Sequence, residues 1–507
     1  MTWVKDNRIV FALLVVCIGF GIYFIYEAIK WVPYPNQMDY GEGLVMYINK
    51  MWANGTWKWD MTIPPYLPLM YGIIMPLLNM PLIKEFGAEL WTGRLIMALS
   101  AVGTSVMMYL ILYRLTKSKV WSIIGALLPF TQPIIRDWAL QARVDMLAVM
   151  FDMIAFYLVI RFKDSKHIYW SIIPFMLAIL TKATSTAALF ALLAYLLIQN
   201  RKVLWRYLAI FLPIVIATFI ALQVWSGGEY INHISLYNRT KDMIWTMAVI
   251  ETNIATLMQP LAVFFIFAVL YICGAFNEWG IKLGKLNLVG WFFICAFIID
   301  FVSGLRPGGF INYYLEFICA TCICATLVFP LVIKKATNKY KEDKSIGAYA
   351  LLLGAMLVLL VVESPQSAII YPNEQYDRDV KVVTEIIQDT DQPVITENSG
   401  LVLHAGKEIY AEFFMLTNMT VLGTWDDTNY LNDYKNQKFD YIILRVPLYN
   451  RPENGDGHFP KNIMDAIKEN YTLIYDPPTN LYYWYSLPTY ESNKKFATDT
   501  RFNPEAR

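Results

Sequence analysis

The strongest constraint on the fold of this chain is its series of long apolar segments. A helix that crosses the hydrocarbon core of a bilayer needs about 20 mostly apolar residues. Hydrophobic residues make up 57% of the 507 residues and charged residues only 16%, whereas soluble proteins carry roughly a quarter charged residues. We therefore predict an α-helical polytopic membrane protein with about eleven transmembrane helices. The predicted spans are residues 9–31, 90–113, 120–133, 145–160, 168–181, 184–199, 206–225, 255–275, 287–304, 312–333 and 346–362.

One further apolar segment, residues 66–83, contains Pro68, Pro76 and Pro81. If this segment does not cross the membrane, the basic clusters of the chain all fall on one side, as the positive-inside rule requires. We therefore predict that the segment is re-entrant or interfacial. The protein is then a multi-pass plasma-membrane protein with a cytoplasmic amino terminus. The basic clusters are Lys5 with Arg8, residues 114–119, 161–166 and 201–206, Lys282 with Lys285, and residues 334–344.

The character of the chain changes near residue 363. Residues 1–363 form the predicted transmembrane domain, in which residues 33–89 are the first outer loop with its juxtamembrane segments. Residues 364–490 alternate short apolar segments with turn residues, which predicts a small α/β domain on the extracytoplasmic side. Residues 491–507 are polar, and we expect a disordered tail there. Within the domain we predict helices at 380–387 and 463–470 and strands at 393–396, 439–444 and 471–475.

Two acids, Asp39 and Glu42, follow the first predicted span directly in the sequence Met-Asp-Tyr-Gly-Glu-Gly. Placing an acidic side chain at a membrane costs free energy, so such residues usually have a functional role. An ordinary solvated loop is the alternative, but the adjacent glycines and the proline-rich segment that follows argue for a carboxylate site. We predict that both residues are catalytic, with Asp39 as the general base.

Other polar residues fall at the predicted outer ends of the spans. In that position, Arg and Lys side chains could hold a lipid-linked phosphate as a leaving group while a carboxylate takes a proton from an attacking hydroxyl. Such a set is chemically complete for an inverting sugar transfer. Plainer alternatives are an interfacial ion pair, a snorkelling lysine or polar contacts between helices. The predicted substrate-binding residues are Arg143, Asp145, Lys182, Arg306, Asn312, Tyr313 and Glu316.

The six cysteines all lie within apolar segments. They lack the spacing of a zinc site or of a disulfide framework, so we interpret them as packing residues and predict no metal ligands among them.

The ordered set of motifs resembles the GT-C superfamily of polyprenyl-phosphate-dependent glycosyltransferases, especially its protein mannosyltransferase and aminoarabinose transferase-like branch. The resemblance covers most of the chain. It is carried by the acids of residues 39–42, the proline-led segment 64–69, Arg94, the Thr-Lys-Ala-Thr break at 181–184, the Asn-Tyr-Tyr-Leu-Glu segment at 312–316, and the outer domain with its 397–401 stretch.

The resemblance implies a membrane enzyme that moves a sugar from a polyprenyl-phosphate donor to a glycan, lipid or protein acceptor, with no nucleic-acid partner. It also implies that the first-loop acid, here Asp39, is the base. Many members have adjacent Asp and Glu residues, whereas Tyr40 and Gly41 separate them here. That spacing leaves open whether Glu42 binds a metal, orients the acceptor or helps to fold the loop. A divalent cation, Mg or Mn, is an open option because metal dependence varies in the superfamily.

Two other functions remain as alternatives. A lipid or polysaccharide transporter would use ionisable residues near the middle of the membrane, for which Asp152 and Asp300 are the obvious acids. A glycan polymerase or ligase with a diphosphate-linked donor would place Arg and His residues in a later outer loop, and the segment 226–253 offers His233 and Arg239.

Overall fold

A computed structural model of the chain describes residues 8–236, 247–274, 287–305, 309–342, 371–453, 455–476 and 487–496. The predicted span at 346–362, the predicted site residue Arg306 and the alternative candidate Arg239 lie outside these residues.

The first part of the chain is helical. In two places a 3₁₀ turn leads without a break into an α-helix. These are Lys166–Ser171 with Ile172–Thr181, and Ile311–Tyr314 with Leu315–Glu342. The remaining helices are Arg8–Trp31, Glu42–Asn54, Ile74–Phe86, Leu90–Thr116, Lys119–Leu127 with the 3₁₀ turn Leu128–Thr131, Pro133–Trp138, Asp145–Phe162, Ala187–Gln199, Arg201–Trp225, the π-helical turn Asn232–Leu236, Met247–Cys273 and Leu288–Gly304.

Four helices among the described residues are long and apolar enough to cross a membrane. They are Arg8–Trp31, Leu90–Thr116, Arg201–Trp225 and Ile311–Lys334. Five shorter apolar helices accompany them, so the total number of crossings stays a prediction. The ambiguous segment at 66–83 is irregular up to residue 73 and then continues into the helix Ile74–Phe86. That helix has 13 residues, or roughly 20 Å at 1.5 Å per residue, which is shorter than the roughly 30 Å hydrocarbon core.

The helix that begins at Leu315 lies at the centre of the bundle, because 78% of its most apolar window is buried. Small residues on its surface let neighbouring helices approach closely. Cys319, Cys322 and Cys324 are free and fully buried there. They therefore pack as small apolar side chains.

The carboxy-terminal domain contains a mixed four-stranded sheet. Val394–Thr396 pairs in parallel with Tyr441–Ile443, which pairs antiparallel with Thr489–Ser492, and that strand pairs antiparallel with Tyr471–Tyr475. Helices cover the sheet, since an α/β layer must bury its apolar faces. They are Glu374–Gln388, Ser399–His404, Phe413–Val421, Thr428–Lys435, the 3₁₀ turn Leu448–Asn450, Lys461–Asn470 and the short Asn493–Phe496.

The predicted start of the polar tail at residue 491 is wrong, because the chain is still within a strand there. Thr489–Ser492 is an inner strand of the sheet, and all four of its residues are buried. Glu491 and Ser492 make the strand look polar, so that it lacks the apolar alternation from which strands are recognised. Residues 497–507 lie outside the described part of the chain.

The carboxy-terminal domain directly contacts the segment 33–89, the predicted first outer loop. Gly400 N donates a hydrogen bond to Gln37 Oε1 at 2.8 Å. Tyr66 exchanges two backbone hydrogen bonds with the segment 410–412. Gly43 lies so close to Gly400 that a Cβ at residue 43 would overlap the Gly400 backbone. The loop that carries Asp39 is therefore packed between the helices and the sheet domain.

Candidate active site

Glu42 forms a fully buried ion pair with Arg94. Neither side chain is exposed, and Arg94 donates from Nε to Glu42 Oε1 and from Nη2 to Oε2, both at 2.8 Å. The Glu42 carboxylate also accepts from the backbone amides of Ala142 at 2.7 Å and Met38 at 2.6 Å. Burial alone would raise the pKa of Glu42. The guanidinium and these amides lower the pKa by more than burial raises it, so the pKa lies below its ordinary value. Both oxygens are thus occupied.

Arg94 also fixes the chain that leads into the loop. Its guanidinium donates to the carbonyl oxygens of Trp31, Tyr34 and Asn36. A planar guanidinium can satisfy several acceptors in a fixed geometry. The pair therefore joins the end of the first helix, the first outer loop and the segment before Asp145.

Asp39 differs from Glu42 in both exposure and bonding. Its side chain is 23% exposed, and its Oδ2 accepts from Arg143 Nη1 at 2.6 Å and from the Gly41 amide at 2.9 Å. Its Oδ1 has no hydrogen-bond donor among the described residues. Arg143 in turn donates from Nη2 to the Tyr71 hydroxyl at 2.7 Å. A Cβ at residue 41 would overlap the Arg143 guanidinium, so glycine is needed for this approach.

Asp145 lies between two cations. Its Oδ1 accepts from Lys182 Nζ at 2.6 Å and from Asn312 Nδ2 at 2.8 Å. Its Oδ2 accepts from the Trp138 indole at 3.0 Å and lies 4.0 Å from Arg143 Nε. Asp39, Arg143, Asp145 and Lys182 therefore form one continuous line of alternating charge.

A small cleft lies beside Lys182, with about 240 Å³ of empty space that includes open solvent. The Lys182 ammonium sits 4.0 Å from the centre of the Tyr313 ring, a cation–π distance. The cleft is lined by the predicted residues Asp145, Lys182, Asn312, Tyr313 and Glu316, and by Asp300 among others.

The acids deeper in the bundle bond to the starts of helices. Glu316 accepts from the Ala187 amide at 3.1 Å, and Asp152 accepts from the Ala188 amide at 3.1 Å. Asp300 accepts from the Phe317 amide at 2.8 Å. Carboxylates at helix amino termini satisfy amides that have no partner within the helix and interact favourably with the helix dipole. The carboxylates of Glu316 and Asp152 thus hold the buried start of the helix Ala187–Gln199.

A family sequence model described as dolichyl-phosphate-mannose-protein mannosyltransferase matches residues 68–226. The match spans roughly a third of the chain and includes Tyr71, Arg94, Arg143, Asp145 and Lys182. No curated protein matches the chain.

Solved structures share the architecture along nearly the whole chain. ArnT from Cupriavidus metallidurans in the apo state matches with a TM-score of 0.58 at 14% identity, over 93% of this chain and 98% of that one. Its form bound to undecaprenyl phosphate gives 0.56 at 13% identity over the same shares. The oligosaccharyltransferase AglB from Archaeoglobus fulgidus, in complex with an inhibitory peptide and a dolichol-phosphate, gives 0.55 at 11% identity over 99% and 82%. This chain has the GT-C glycosyltransferase fold.

The predicted resemblance and the predicted fold class are confirmed by these matches. Because the matched family model is also one of glycosyltransferases, the predicted enzyme class is confirmed as well. The orientation of the termini and the roles of individual residues stay predictions.

Within the GT-C fold, most of the predicted site residues come together. Asp39, Arg143, Asp145, Lys182 and Asn312 are linked by hydrogen bonds or ion pairs. Tyr313 and Glu316 line the same cleft. Glu42 lies beside this group, but its side chain is fully buried in the ion pair with Arg94. This position fits a residue that stabilises the conformation of the loop.

Sequence reasoning missed Tyr71 and Trp138, which contact Arg143 and Asp145. Tyr71 lies just beyond the proline-led motif, and Trp138 lies seven residues before its acceptor. The closeness in sequence of an aromatic donor to a predicted charged residue could have indicated these two positions. That signal is weak, because 15% of the residues in the chain are aromatic.

The acids of the described residues do not form a metal site. No group of three or more His, Cys, Asp or Glu side chains within this part of the chain is arranged to hold a metal ion. An arginine binds each loop acid: Arg143 bonds one oxygen of Asp39, and Arg94 bonds both oxygens of Glu42. Whether the protein uses a divalent cation stays open.

Proposed function

We propose that this protein transfers a sugar from a polyprenyl-phosphate donor to a hydroxyl-bearing acceptor at the outer face of the membrane, with inversion at the anomeric carbon and Asp39 as the general base. The observation that carries the proposal is the contrast between the two loop acids. Asp39 keeps one carboxylate oxygen without a protein donor among the described residues, whereas both oxygens of Glu42 are occupied. Of these two acids, only Asp39 has the geometry of an accessible base.

The donor lipid is inferred from the matched relatives and from the charges of the site. ArnT has been solved with undecaprenyl phosphate and AglB with a dolichol-phosphate. An apolar helical bundle suits a polyprenyl tail, and a cation pair at its edge suits the phosphate. The acceptor class, whether glycan, lipid or protein, stays open.

Arg143 and Lys182 are the proposed phosphate ligands. Arg143 Nε is buried and has no hydrogen-bond partner within the described part of the chain, so it retains a donor for a phosphate oxygen. Lys182 carries three ammonium protons, of which one bonds Asp145. Asp145 serves as the common counter-ion that keeps both cations in place while the cleft is empty of substrate.

The reaction follows from this placement. The acceptor oxygen forms a bond to the anomeric carbon while its proton passes to Asp39. The bond between the anomeric carbon and the phosphate oxygen breaks on the opposite face, and its electron pair leaves with the phosphate. Arg143 and Lys182 stabilise the charge that develops there, while Asn312, Tyr313 and Glu316 line the cleft for the sugar or acceptor. Transfer by the purified protein from a synthetic polyprenyl-phosphate sugar, with the anomer of the product determined, tests the reaction class.

Replacing Lys182 by methionine should weaken donor binding. A hydrogen bond to a charged group is worth about 1.5–3 kcal/mol, so we expect KM for the donor to rise by about 10- to 100-fold. The matched control is Lys58→Met, which changes an exposed lysine of the segment 33–89 and should leave KM unaltered.

A second variant separates binding from folding in that experiment. Lys182→Met alone leaves Asp145 buried without its ammonium partner, so the pair variant Lys182→Met with Asp145→Asn should restore thermal stability but not donor affinity. A donor KM equal to wild type in both variants would contradict the assignment of Lys182.

The alternative functions gain no support from the described residues. Both ring nitrogens of His233 are engaged, Nδ1 by the Leu69 amide at 2.9 Å and Nε2 by the Trp59 carbonyl at 2.8 Å. Asp152 and Asp300, the candidates for a transporter relay, each accept a backbone amide at a helix start.

A further inference from the structure

Tyr40, the residue next to Asp39, is held by the carboxy-terminal domain. Its hydroxyl donates to Glu412 Oε1 at 2.7 Å. The centre of its ring lies 5.0 Å from the centre of the His458 ring. It lies 5.1 Å from the guanidinium carbon of Arg445. The three contacts come from three separate segments of that domain.

Glu412 is itself fixed in place. Only 2% of the residue is exposed, and its Oε2 accepts from the Met415 amide at 2.6 Å, which caps the helix Phe413–Val421. The partly buried position of Tyr40 and the negative charge of Glu412 hold the pKa of Tyr40 well above its usual range. The tyrosine hydroxyl therefore remains a donor throughout the physiological pH range.

The same domain also holds the loop on both sides of Asp39. Gln37 bonds the Gly400 amide, and Gly43 packs on the Gly400 backbone with no room for a Cβ. Asp39 itself bonds to the helical region through Arg143. Consecutive side chains of one loop thus bond to different domains, Asp39 to the helices and Tyr40 to the sheet domain.

We propose that Glu412 of the carboxy-terminal domain is a positioning residue for the base, acting through its hydrogen bond to Tyr40. The proposal rests on the proposed function, because it concerns the placement of Asp39. A general base must lie within hydrogen-bond reach of the proton that it removes, and a displacement of about 1 Å costs about 10²-fold in rate. The contact sets the rotation of the 39–40 segment and therefore the direction of the free Asp39 oxygen.

Tyr40→Phe and Glu412→Gln test the contact. Tyr40→Phe removes only the donor, and Glu412→Gln replaces a two-oxygen acceptor by one that must serve both Tyr40 and Met415. We expect kcat to fall by about 10- to 100-fold with the donor KM unchanged. The double variant should be no slower than the worse single variant, because both changes remove one interaction. Tyr449→Phe removes a hydroxyl that bonds Asp476 at 2.6 Å on the exposed surface of the same domain, and it should leave kcat at the wild-type value.

Hydrogen exchange provides a measurement that does not need activity. In both variants the amides of residues 38–43 should exchange faster, while those of the helix Leu90–Thr116 should not. Unchanged exchange at 38–43, or a fall in kcat that is strictly additive in the double variant, would overturn the positioning role. A wild-type protein without transfer activity, together with faster exchange in the variants, would contradict the proposed function and leave the contact between Glu412 and the loop established.

Discussion

The Asp39→Asn variant is expected to lose sugar transfer almost completely, while the protein inserts and folds as before. A positioned general base contributes about 10²- to 10⁴-fold to rate, and asparagine cannot accept the proton. Asparagine has nearly the same shape and can still accept from Arg143 Nη1, so the loop should be retained. The measurement is the single-turnover rate at saturating donor, which reports the chemical step separately from binding.

The matched control for this variant is Asp60→Asn. Asp60 is an exposed acid of the same outer loop, and among the described residues its carboxylate accepts hydrogen bonds only from Thr62. It should retain the wild-type rate. An Asp39→Asn protein with full activity would remove Asp39 from the mechanism.

The Glu42→Gln variant is expected to be strongly destabilised. Its neutral side chain would leave the Arg94 guanidinium buried and unpaired, and breaking a buried ion pair by removing one partner costs about 3–5 kcal/mol. Both side chains are entirely buried, so solvent does not weaken this effect. Thermal unfolding of the detergent-solubilised protein should show the loss.

Two variants calibrate that measurement. Replacing the pair together, as Glu42→Gln with Arg94→Met, removes the unpaired charge and should be less destabilising than Glu42→Gln alone. Glu374→Gln breaks the exposed pair with Arg378 and should leave the unfolding temperature unchanged. If Glu42→Gln unfolded like the wild type but lost transfer as completely as Asp39→Asn, Glu42 would belong with the reacting groups.

The pH dependence of stability follows from the same pair. The pKa of Glu42 is lower in the folded protein than its ordinary value of 4.5. The stabilisation by the carboxylate is therefore fully present above about pH 4.5 and is lost as the pH falls through the lower pKa of the folded state. The Glu42→Gln variant has no carboxylate at this position. Its stability should therefore lack the decrease that protonation of Glu42 causes in the wild type below about pH 4.5.

The sequence was informative about features that repeat along the chain. Apolar segments about 20 residues long indicated the membrane class, and polar residues that interrupt them, such as Lys182 and Asn312, supplied the candidate site residues. These features are local, and the helices observed at Arg8–Trp31 and Leu90–Thr116 lie close to the predicted spans at 9–31 and 90–113.

Long-range pairings could not be predicted in the same way. Glu42 and Arg94 are 52 positions apart, and Tyr40 and Glu412 are 372 positions apart. Nothing in either local sequence indicates which charged partner a side chain meets after folding. The proposed division of roles between Asp39 and Glu42 is argued from these long-range partners, which the sequence does not indicate.

The sheet domain shows a second reason for failure. The strand Thr489–Ser492 carries a buried glutamate, Glu491, and the helix Thr428–Lys435 is mostly polar. At such positions tertiary packing determines the secondary structure, so the local pattern of apolar residues does not indicate it. The predicted strands at 393–396 and 471–475 were apolar enough to be recognised, and they lie close to the observed strands.

The proposed reaction requires that Arg143 and Lys182 hold a polyprenyl phosphate next to the base Asp39. The most direct test is an experimental structure of the full chain in lipid nanodiscs with a polyprenyl-phosphate sugar and the Asp39→Asn substitution, which should trap the donor. We predict that the phosphate lies within hydrogen-bond distance of Arg143 and Lys182, with the anomeric carbon facing residue 39. A phosphate bound elsewhere on the protein, with that cleft unchanged, would contradict the assignment of Arg143 and Lys182 as phosphate ligands.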